Sequence, residues 1–194
     1  MATERIIVES TIADEFKKKL SGTMDHVFGK ETPAPVLVGP PGVKKNKELL
    51  QDALSKGARA IYGDAKAEED SHTRMRPVIV ENVSKEMSIY HTESFGPTVS
   101  LFSIPSGAGF EEKALELAND TDYGLASAVF TEDLRKGLRL AKGIETGAVH
   151  INSMSVHDEA GLPHGGAKKS GFGRFNSVEG LQEWTRTKVV SWKD

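Results

Sequence analysis

Hydrophobic positions along the chain follow two spacings, one typical of helices and one typical of strands. Ile12, Phe16 and Leu20 recur at intervals of four, which predicts a helix with one buried face after a Ser10-Thr11 cap. Short β-branched runs separate such helices and predict strands. The further predicted helices span residues 44–56, 110–119 and 131–143. The predicted strands span residues 5–8, 36–38, 77–83, 98–102, 126–130, 147–152 and 187–192.

This alternation predicts an α/β fold, with a largely parallel sheet flanked by helices on both faces. The chain has 194 residues, enough for one well-buried core, and we expect a single domain over residues 1–194. No internal repeat and no low-complexity segment interrupts the pattern.

Composition and charge exclude several classes of protein. The net charge of −3 and the pI near 6.1 give no electrostatic basis for binding nucleic acid or an anionic membrane. No apolar stretch approaches the roughly 20 residues that would span a bilayer. The chain contains no cysteine, so it forms no disulfide, and a cytoplasmic location is expected.

Four motifs carry a family resemblance. Residues 93–97 read Glu-Ser-Phe-Gly-Pro, residues 118–125 read Ala-Asn-Asp-Thr-Asp-Tyr-Gly-Leu, and residues 146–152 read Thr-Gly-Ala-Val-His-Ile-Asn. Residues 163–174 read Pro-His-Gly-Gly-Ala-Lys-Lys-Ser-Gly-Phe-Gly-Arg. In this order and at this spacing they resemble the aldehyde dehydrogenase superfamily, over the C-terminal part of its catalytic domain. The adjacent His157-Asp158-Glu159 is closest to the branch that oxidises aromatic aldehydes such as vanillin and salicylaldehyde.

The resemblance implies a truncated, cysteine-less relative. Met1 aligns with the residue that follows the nucleophilic cysteine of the family, and its NAD-binding domain and general base lie further upstream. We therefore expect no NAD-binding domain, and no cofactor unless a partner chain supplies the Rossmann domain. Aldehyde oxidation needs a thiolate, a hydride acceptor and a base, so a self-sufficient dehydrogenase is not expected.

Three groups of candidate site residues follow from the resemblance. Glu93 and Phe95 stand where the family contacts the nicotinamide ribose and the nicotinamide, so they are vestigial cofactor positions. Residues 153–168 stand where the family lines its substrate tunnel. Histidine moves protons near neutral pH, and a carboxylate can fix its tautomer, so the candidate catalytic residues are His157, Asp158 and His164. The candidate substrate-pocket residues are Phe95, Asn152, Ser155 and Glu159.

Plainer structural roles compete with several of these assignments. Glu93 is also explained as a solvated or capping residue, and Asn152 as a side chain that ties down a loop. His164 replaces the phenylalanine usual in the family, either as an altered pocket group or as a tolerated substitution. No metal site is expected, because no helical i, i+4 pair or closed ligand set is present.

Three hypotheses for function follow. The preferred one is a repurposed pseudoenzyme, of a kind found in biosynthesis, whose pocket binds a carbonyl-containing or aromatic small molecule. It would convert that molecule, if at all, by non-redox isomerase, cyclase or lyase chemistry. The second is a non-catalytic subunit of a full-length aldehyde dehydrogenase or of a separate N-terminal half. The third is a fragment of an intact aldehyde dehydrogenase.

The chain is expected to form an oligomer, and a full-length aldehyde dehydrogenase is a further candidate partner. The family builds dimers partly through its last strand, and residues 187–192 resemble that strand. The segment 183–194 is therefore expected to provide an oligomerisation strand in a homodimer or higher oligomer.

Overall fold

The computed structural model describes residues 2–194. They form two compact units, one ending at Thr121 and one running from Asp122 to Asp194, and each is described by itself. The single domain predicted from the sequence remains a prediction.

The first unit contains a four-stranded sheet and four helices. Its strands are β1 (Arg5–Glu9), β2 (Arg59–Tyr62), β3 (Val78–Glu81) and β4 (Thr98–Ile104). Its helices are α1 (Ala13–Phe28), α2 (Pro40–Ser55), α3 (Ser88–His91) and α4 (Phe110–Asn119). The strand order is β1-β4-β3-β2, with β1, β4 and β3 parallel and β2 antiparallel to β3.

Strand β3 carries the core of this unit because both of its faces are covered. Val78 and Val80 pack in one cluster with Leu50 of α2, whereas Ile79 packs in a second cluster with side chains of α1. Alternate residues of a strand point to opposite faces of the sheet, so α1 and α2 lie on opposite sides of β3. All four residues of β3 are buried, as expected for a strand inside a two-sided α/β layer.

Glu81 places a carboxylate at the end of this buried strand. Lys17 of α1 donates a hydrogen bond to Glu81 Oε2 at 3.1 Å, and Arg59 of β2 donates to Oε1. Burial disfavours the ionised form of Glu81, but the hydrogen bonds from Arg59 and Lys17 outweigh it and lower its pKa. The ionised carboxylate of Glu81 therefore links β3 to the neighbouring strand β2 and to helix α1.

The second unit is built from short elements. Its strands are β5 (Tyr123–Gly124), β6 (Ala126–Val129), β7 (Ala148–Ile151) and β8 (Ala167–Lys168), and its helices are α5 (Leu134–Gly143) and α6 (Ser177–Gln182). β6 and β7 pair in parallel, and β5 and β8 pair antiparallel. Asp133 caps α5, since its Oδ1 accepts hydrogen bonds from the backbone N–H groups of Arg135 and Lys136.

The predicted α/β class is confirmed, and the main sheet is mixed because β2 runs antiparallel at its edge. The strand predicted at residues 36–38 is reduced to one bridge between Val36 and Arg74. The strand predicted at residues 187–192 is absent, because no backbone in the described part of the chain pairs with it. Trp184 and Trp192, near and in this segment, are 90% and 87% exposed.

No helix within residues 2–194 is both long and apolar enough to cross a membrane.

Candidate functional site

The Glu-Ser-Phe-Gly-Pro motif forms the turn, the short connection between α3 and β4 in the first unit, which bends at Gly96 and Pro97. Ser94 is buried, and the carboxylate of Glu4 lies against its backbone. Glu4 Oε1 accepts hydrogen bonds from Ser94 N at 2.8 Å, from Ser94 Oγ at 3.0 Å and from Phe95 N at 3.1 Å. An acidic side chain from the residue before β1 thus occupies the donor side of the turn.

Phe95 has an unusual backbone conformation. Its φ angle is 51°, in the left-handed region that bulky side chains rarely adopt, and its side chain is 78% exposed. A large aromatic residue held in a strained conformation and facing solvent is typical of functional sites. This geometry supports the position of Phe95 among the candidate residues.

Asn46 of α2 holds the other side of the same turn. It is fully buried, and its Nδ2 donates to the carbonyl oxygens of Ser94 at 3.1 Å and of Gly42 at 2.9 Å. Its Oδ1 is buried and has no hydrogen-bond partner among the described residues. The amide packs so closely against Gly96 that a Cβ added there would lie 2.2 Å from Asn46 Nδ2.

Glu93 is the ionisable group of the turn. Burial raises its pKa, the negative charge of Glu4 adds to the effect, and Lys45 opposes it. Within residues 2–194 the carboxylate of Glu93 accepts no hydrogen bond. A carboxylate accepts hydrogen bonds from hydroxyl groups and an aromatic ring stacks on a flat heterocycle, so Glu93 and Phe95 fit a nicotinamide riboside in their chemistry.

In the second unit, Asn152 follows β7 and ties a loop to it. Its Oδ1 accepts from Thr131 N at 2.8 Å, and its Nδ2 donates to Thr131 O at 2.8 Å. Its φ of 56° lies in the left-handed region, which asparagine tolerates better than most residues. The structural alternative considered for Asn152 accounts for both of these hydrogen bonds.

The three candidate catalytic residues do not converge. His157 Nε2 lies 2.7 Å from Glu159 Oε1, and its ring stands edge-on to His150 with centroids 5.2 Å apart. Asp158 instead accepts from Asn176 Nδ2 at 2.6 Å. In the described residues, the carboxylate beside His157 is therefore Glu159 and not Asp158, because adjacent side chains point in different directions.

His164 is buried and packs against Phe175, with ring centroids 4.9 Å apart. The two residues also exchange backbone hydrogen bonds of 2.9 and 2.8 Å. This arrangement fits a histidine that fills a space suited to an aromatic ring, which is the plainer of the two interpretations of His164. Ser155 is half-buried in the loop after β7.

The glycine-rich motif at residues 163–174 is held by its own arginine. Arg174 Nη1 donates to the carbonyl oxygens of Gly166 at 3.1 Å and Gly173 at 2.6 Å. Arg174 therefore has a structural role, because its guanidinium holds two backbone carbonyls of the same motif. In the described part of the chain, no three histidine, aspartate or glutamate side chains are grouped to bind a metal ion.

Sequence reasoning missed Glu4 and Asn46. Asn46 carried a readable signal, since it shares the helical spacing of Val43, Leu50 and Ala53 and so lies on the buried face of α2. Glu4 carried none, because its partners lie 90 and 91 residues further along the chain.

Comparison with known proteins identifies the family to which the chain is similar. The model of the aldehyde dehydrogenase family matches residues 1–190. Vanillin dehydrogenase of Pseudomonas fluorescens is 35% identical over 196 residues, and salicylaldehyde dehydrogenase of Pseudomonas putida is 36% identical over 198 residues. Each alignment covers 98% of this chain and 39% of the relative. The chain thus spans about two fifths of the length of these curated relatives.

Solved structures agree with the sequence relatives. The crystal structure of salicylaldehyde dehydrogenase from Pseudomonas putida G7 with salicylaldehyde matches with a TM-score of 0.81 and 33% identity, over 93% of this chain and 37% of that one. Succinic semialdehyde dehydrogenase from Streptococcus pyogenes with NADP+ matches with a TM-score of 0.85 and 29% identity, over 98% and 42%.

These relatives overturn the preferred hypothesis from the sequence. A repurposed pocket protein with non-redox acid–base chemistry is wrong, because the proteins that match across nearly the whole chain are aldehyde dehydrogenases. They lend no support to a pseudoenzyme or to a role in biosynthesis. They favour the third hypothesis, a piece of an aldehyde dehydrogenase. With its match over residues 1–190, the chain belongs to the aldehyde dehydrogenase family.

Proposed function

We propose that this chain is the C-terminal part of the catalytic domain of an aldehyde dehydrogenase that acts on aromatic aldehydes. The observation that carries the proposal is the similarity to vanillin and salicylaldehyde dehydrogenases, at 35% and 36% identity over 98% of the chain. The reaction consumes an aldehyde and water, passes a hydride to a nicotinamide cofactor, and releases a carboxylic acid and a proton.

The chain contributes binding and positioning rather than the nucleophile. It contains no cysteine, so the thiolate must come from residues outside this sequence, in the same polypeptide or in a partner chain. The residues that bind the rest of the cofactor have the same origin. An aldehyde dehydrogenase with this chain inside a longer polypeptide accounts for both requirements.

Glu93 and Phe95 are the cofactor-binding residues in this proposal. The Glu93 carboxylate accepts hydrogen bonds from the ribose hydroxyls next to the nicotinamide, and the exposed ring of Phe95 packs beside that part of the cofactor. The open acceptor oxygens of Glu93 and the 78% exposure of Phe95 support these roles. The cofactor serves only as the hydride acceptor.

The loop after β7 contributes to the aldehyde site. Ser155, His157 and Glu159 line the aldehyde-binding side of the second unit, and Asn152 holds the base of their loop through Thr131. Asp158 and His164 stabilise this region through Asn176 and Phe175.

The active protein is a homo-oligomer in which the segment 183–194 contacts a second copy. Four of its large apolar side chains are exposed, and no strand in the described residues pairs with it. Burying these side chains against another molecule would remove apolar surface from water. The exposed side chains are Trp184, Val189, Val190 and Trp192.

The experiment begins with the native protein. An antibody against residues 63–72, most of which are exposed, detects the polypeptide in host extract, and its mass distinguishes the 21.0 kDa chain from one about two and a half times as long. The captured protein is then assayed with vanillin and salicylaldehyde and NAD+ or NADP+. Production of the acid together with reduced cofactor is expected.

Two outcomes separate the alternatives. A 21.0 kDa band that co-purifies with a second dehydrogenase chain would favour the non-catalytic subunit. A captured protein that oxidises neither aldehyde with either cofactor would refute the proposed activity.

A further inference from the structure

We infer that Glu4 is the positioning residue of the Glu93–Gly96 turn, whose backbone it holds so that Glu93 and the Phe95 ring face the cofactor. The cofactor part of this inference rests on the proposed function. The turn geometry does not, and it is tested separately.

The position of Glu4 is set by the sheet. Arg5, the first residue of β1, is in register with Ser100 of β4, and Ser100 N donates to the backbone carbonyl of Glu4 at 2.9 Å. The main chain of Glu4 is thereby fixed beside the strand into which the turn leads. Its side chain reaches the turn from a rigid support.

The turn is shaped to receive an anion. The N–H groups of Ser94 and Phe95 are consecutive and both point at Glu4 Oε1, at 2.8 and 3.1 Å. Consecutive N–H groups converge in this way when one residue is left-handed, and such a nest binds negative charge. Phe95, with its φ of 51°, is that left-handed residue. The carboxylate of Glu4 is the internal anion that offsets the cost of this conformation.

Loss of the carboxylate would affect the two donors differently. Ser94 is buried, so its N–H would be left without a partner, whereas Phe95 is exposed and its N–H can bind water. Phe95 would then relax toward an ordinary conformation and move its ring. Glu93 and Phe95 flank Ser94, so both residues assigned to the cofactor would move together.

Glu4 also acts on Glu93 through charge. The groups that influence the ionisation of Glu93 are Glu4, beside β1, and Lys45, on α2. The negative charge of Glu4 raises the pKa of Glu93, and Lys45 lowers it. Removing the charge of Glu4 should lower the pKa of Glu93, which loss of packing alone would not do.

The first test uses NMR on the full 194-residue chain and its Glu4→Gln and Glu4→Ala variants. Hydrogen exchange at the Ser94 amide should accelerate by about ten- to a hundredfold in Glu4→Ala, and by less in Glu4→Gln, which keeps one acceptor oxygen. The carboxyl resonance of Glu93 should titrate at lower pH in both variants. Glu9→Gln is the matched control, because Glu9 is the last residue of β1, which Glu4 directly precedes, and its side chain forms no hydrogen bond within residues 2–194.

The second test uses the aldehyde-oxidising protein that contains this chain. Glu4→Gln should raise the KM for the nicotinamide cofactor about tenfold and leave the KM for the aldehyde within about twofold, because the change is confined to the cofactor turn. Glu9→Gln should change neither value.

The outcomes test separately the role of Glu4 in the turn and its role in cofactor binding. Unchanged Ser94 exchange and an unchanged titration of Glu93 in Glu4→Ala would overturn the inference. Altered exchange with an unchanged cofactor KM would show that Glu4 has only a structural role, and this result would also overturn the inference. If the unaltered protein oxidises no aldehyde, the proposed function and the cofactor role both fail, while the exchange and titration data still decide whether Glu4 sets the turn.

Discussion

The close contact between Gly96 and Asn46 makes Gly96→Ala a severe change in the first unit. The new Cβ would lie 2.2 Å from Asn46 Nδ2 and 2.6 Å from its Cγ. Asn46 is fully buried between α2 and the turn, so its side chain cannot swing into solvent. To make room it must give up its hydrogen bond to the carbonyl of Ser94, which is buried as well.

The expected loss of stability follows from two contributions. Inserting a methyl group into a packed interior costs about 1–3 kcal/mol. Leaving the Ser94 carbonyl without a donor costs about 1–3 kcal/mol more. A total of about 2–6 kcal/mol is a large part of the roughly 5–15 kcal/mol that holds a domain together. At a urea dependence of about 2 kcal/mol per molar, the midpoint should fall by about 1–3 M.

Urea unfolding followed by far-ultraviolet circular dichroism measures this loss, because both sixteen-residue helices, α1 and α2, belong to this unit. The matched control is Gly22→Ala in α1, where an added Cβ meets nothing within 4 Å. It should stabilise the unit by about 0.5–1 kcal/mol through helix propensity.

A double mutant isolates the contact. Asn46→Ala removes the atoms that the new methyl group strikes, so Gly96→Ala should cost about 1–3 kcal/mol less in that background. If Gly96→Ala does not lower the urea midpoint, or if the effects of Gly96→Ala and Asn46→Ala are strictly additive, the steric reasoning is wrong.

Three further predictions concern other parts of the two units. Glu81→Gln should destabilise the first unit by about 2 kcal/mol at neutral pH. Because folding lowers the pKa of Glu81, its contribution is present above the ordinary value of 4.5 and lost as pH falls through the folded value, so urea midpoints of variant and parent should converge in acid; a constant gap would contradict this. Asn152→Ala should leave the second unit about 1 kcal/mol less stable than Asn152→Gly, and so lower its melting temperature further, because both variants lose the hydrogen bonds to Thr131 but only alanine is strained at a φ of 56°. Equal melting temperatures would argue against strain. Leu50→Ala should cost about 2–5 kcal/mol in the same urea assay, because Leu50 is fully buried, and a loss below about 1 kcal/mol would mean that the core collapses around the gap.

Local sequence patterns predicted several helices and strands correctly, because the spacing of apolar residues that predicts an element also decides which of its faces is buried. The helix predicted at residues 110–119 coincides with α4, whose Leu117 packs against the core of the first unit. Helix α2 begins four residues before its predicted start. Pro40 and Pro41 form its first two positions, because proline suits the first turn of a helix, where the N–H groups need no helical partner.

Contacts between residues far apart in the sequence could not be predicted from the sequence alone. Glu4 reaches the Ser94 amide only because β1 pairs with β4 in one particular register, and a single sequence does not reveal that register. His157 and Asp158 looked like a pair because they are adjacent, yet Glu159 is the carboxylate that meets the histidine. The strand expected at residues 187–192 has suitable side chains, but a strand exists only where a second backbone pairs with it.

The placement of the tryptophans turns the end of the chain into a spectroscopic reporter. The sequence has two tryptophans, Trp184 and Trp192, and both lie in the second unit with at least 87% of their surface open to water. In the free chain, tryptophan emission therefore comes from indoles that are largely exposed to water. Any event that covers this end of the molecule should shift the emission to shorter wavelength, so association can be followed without a label.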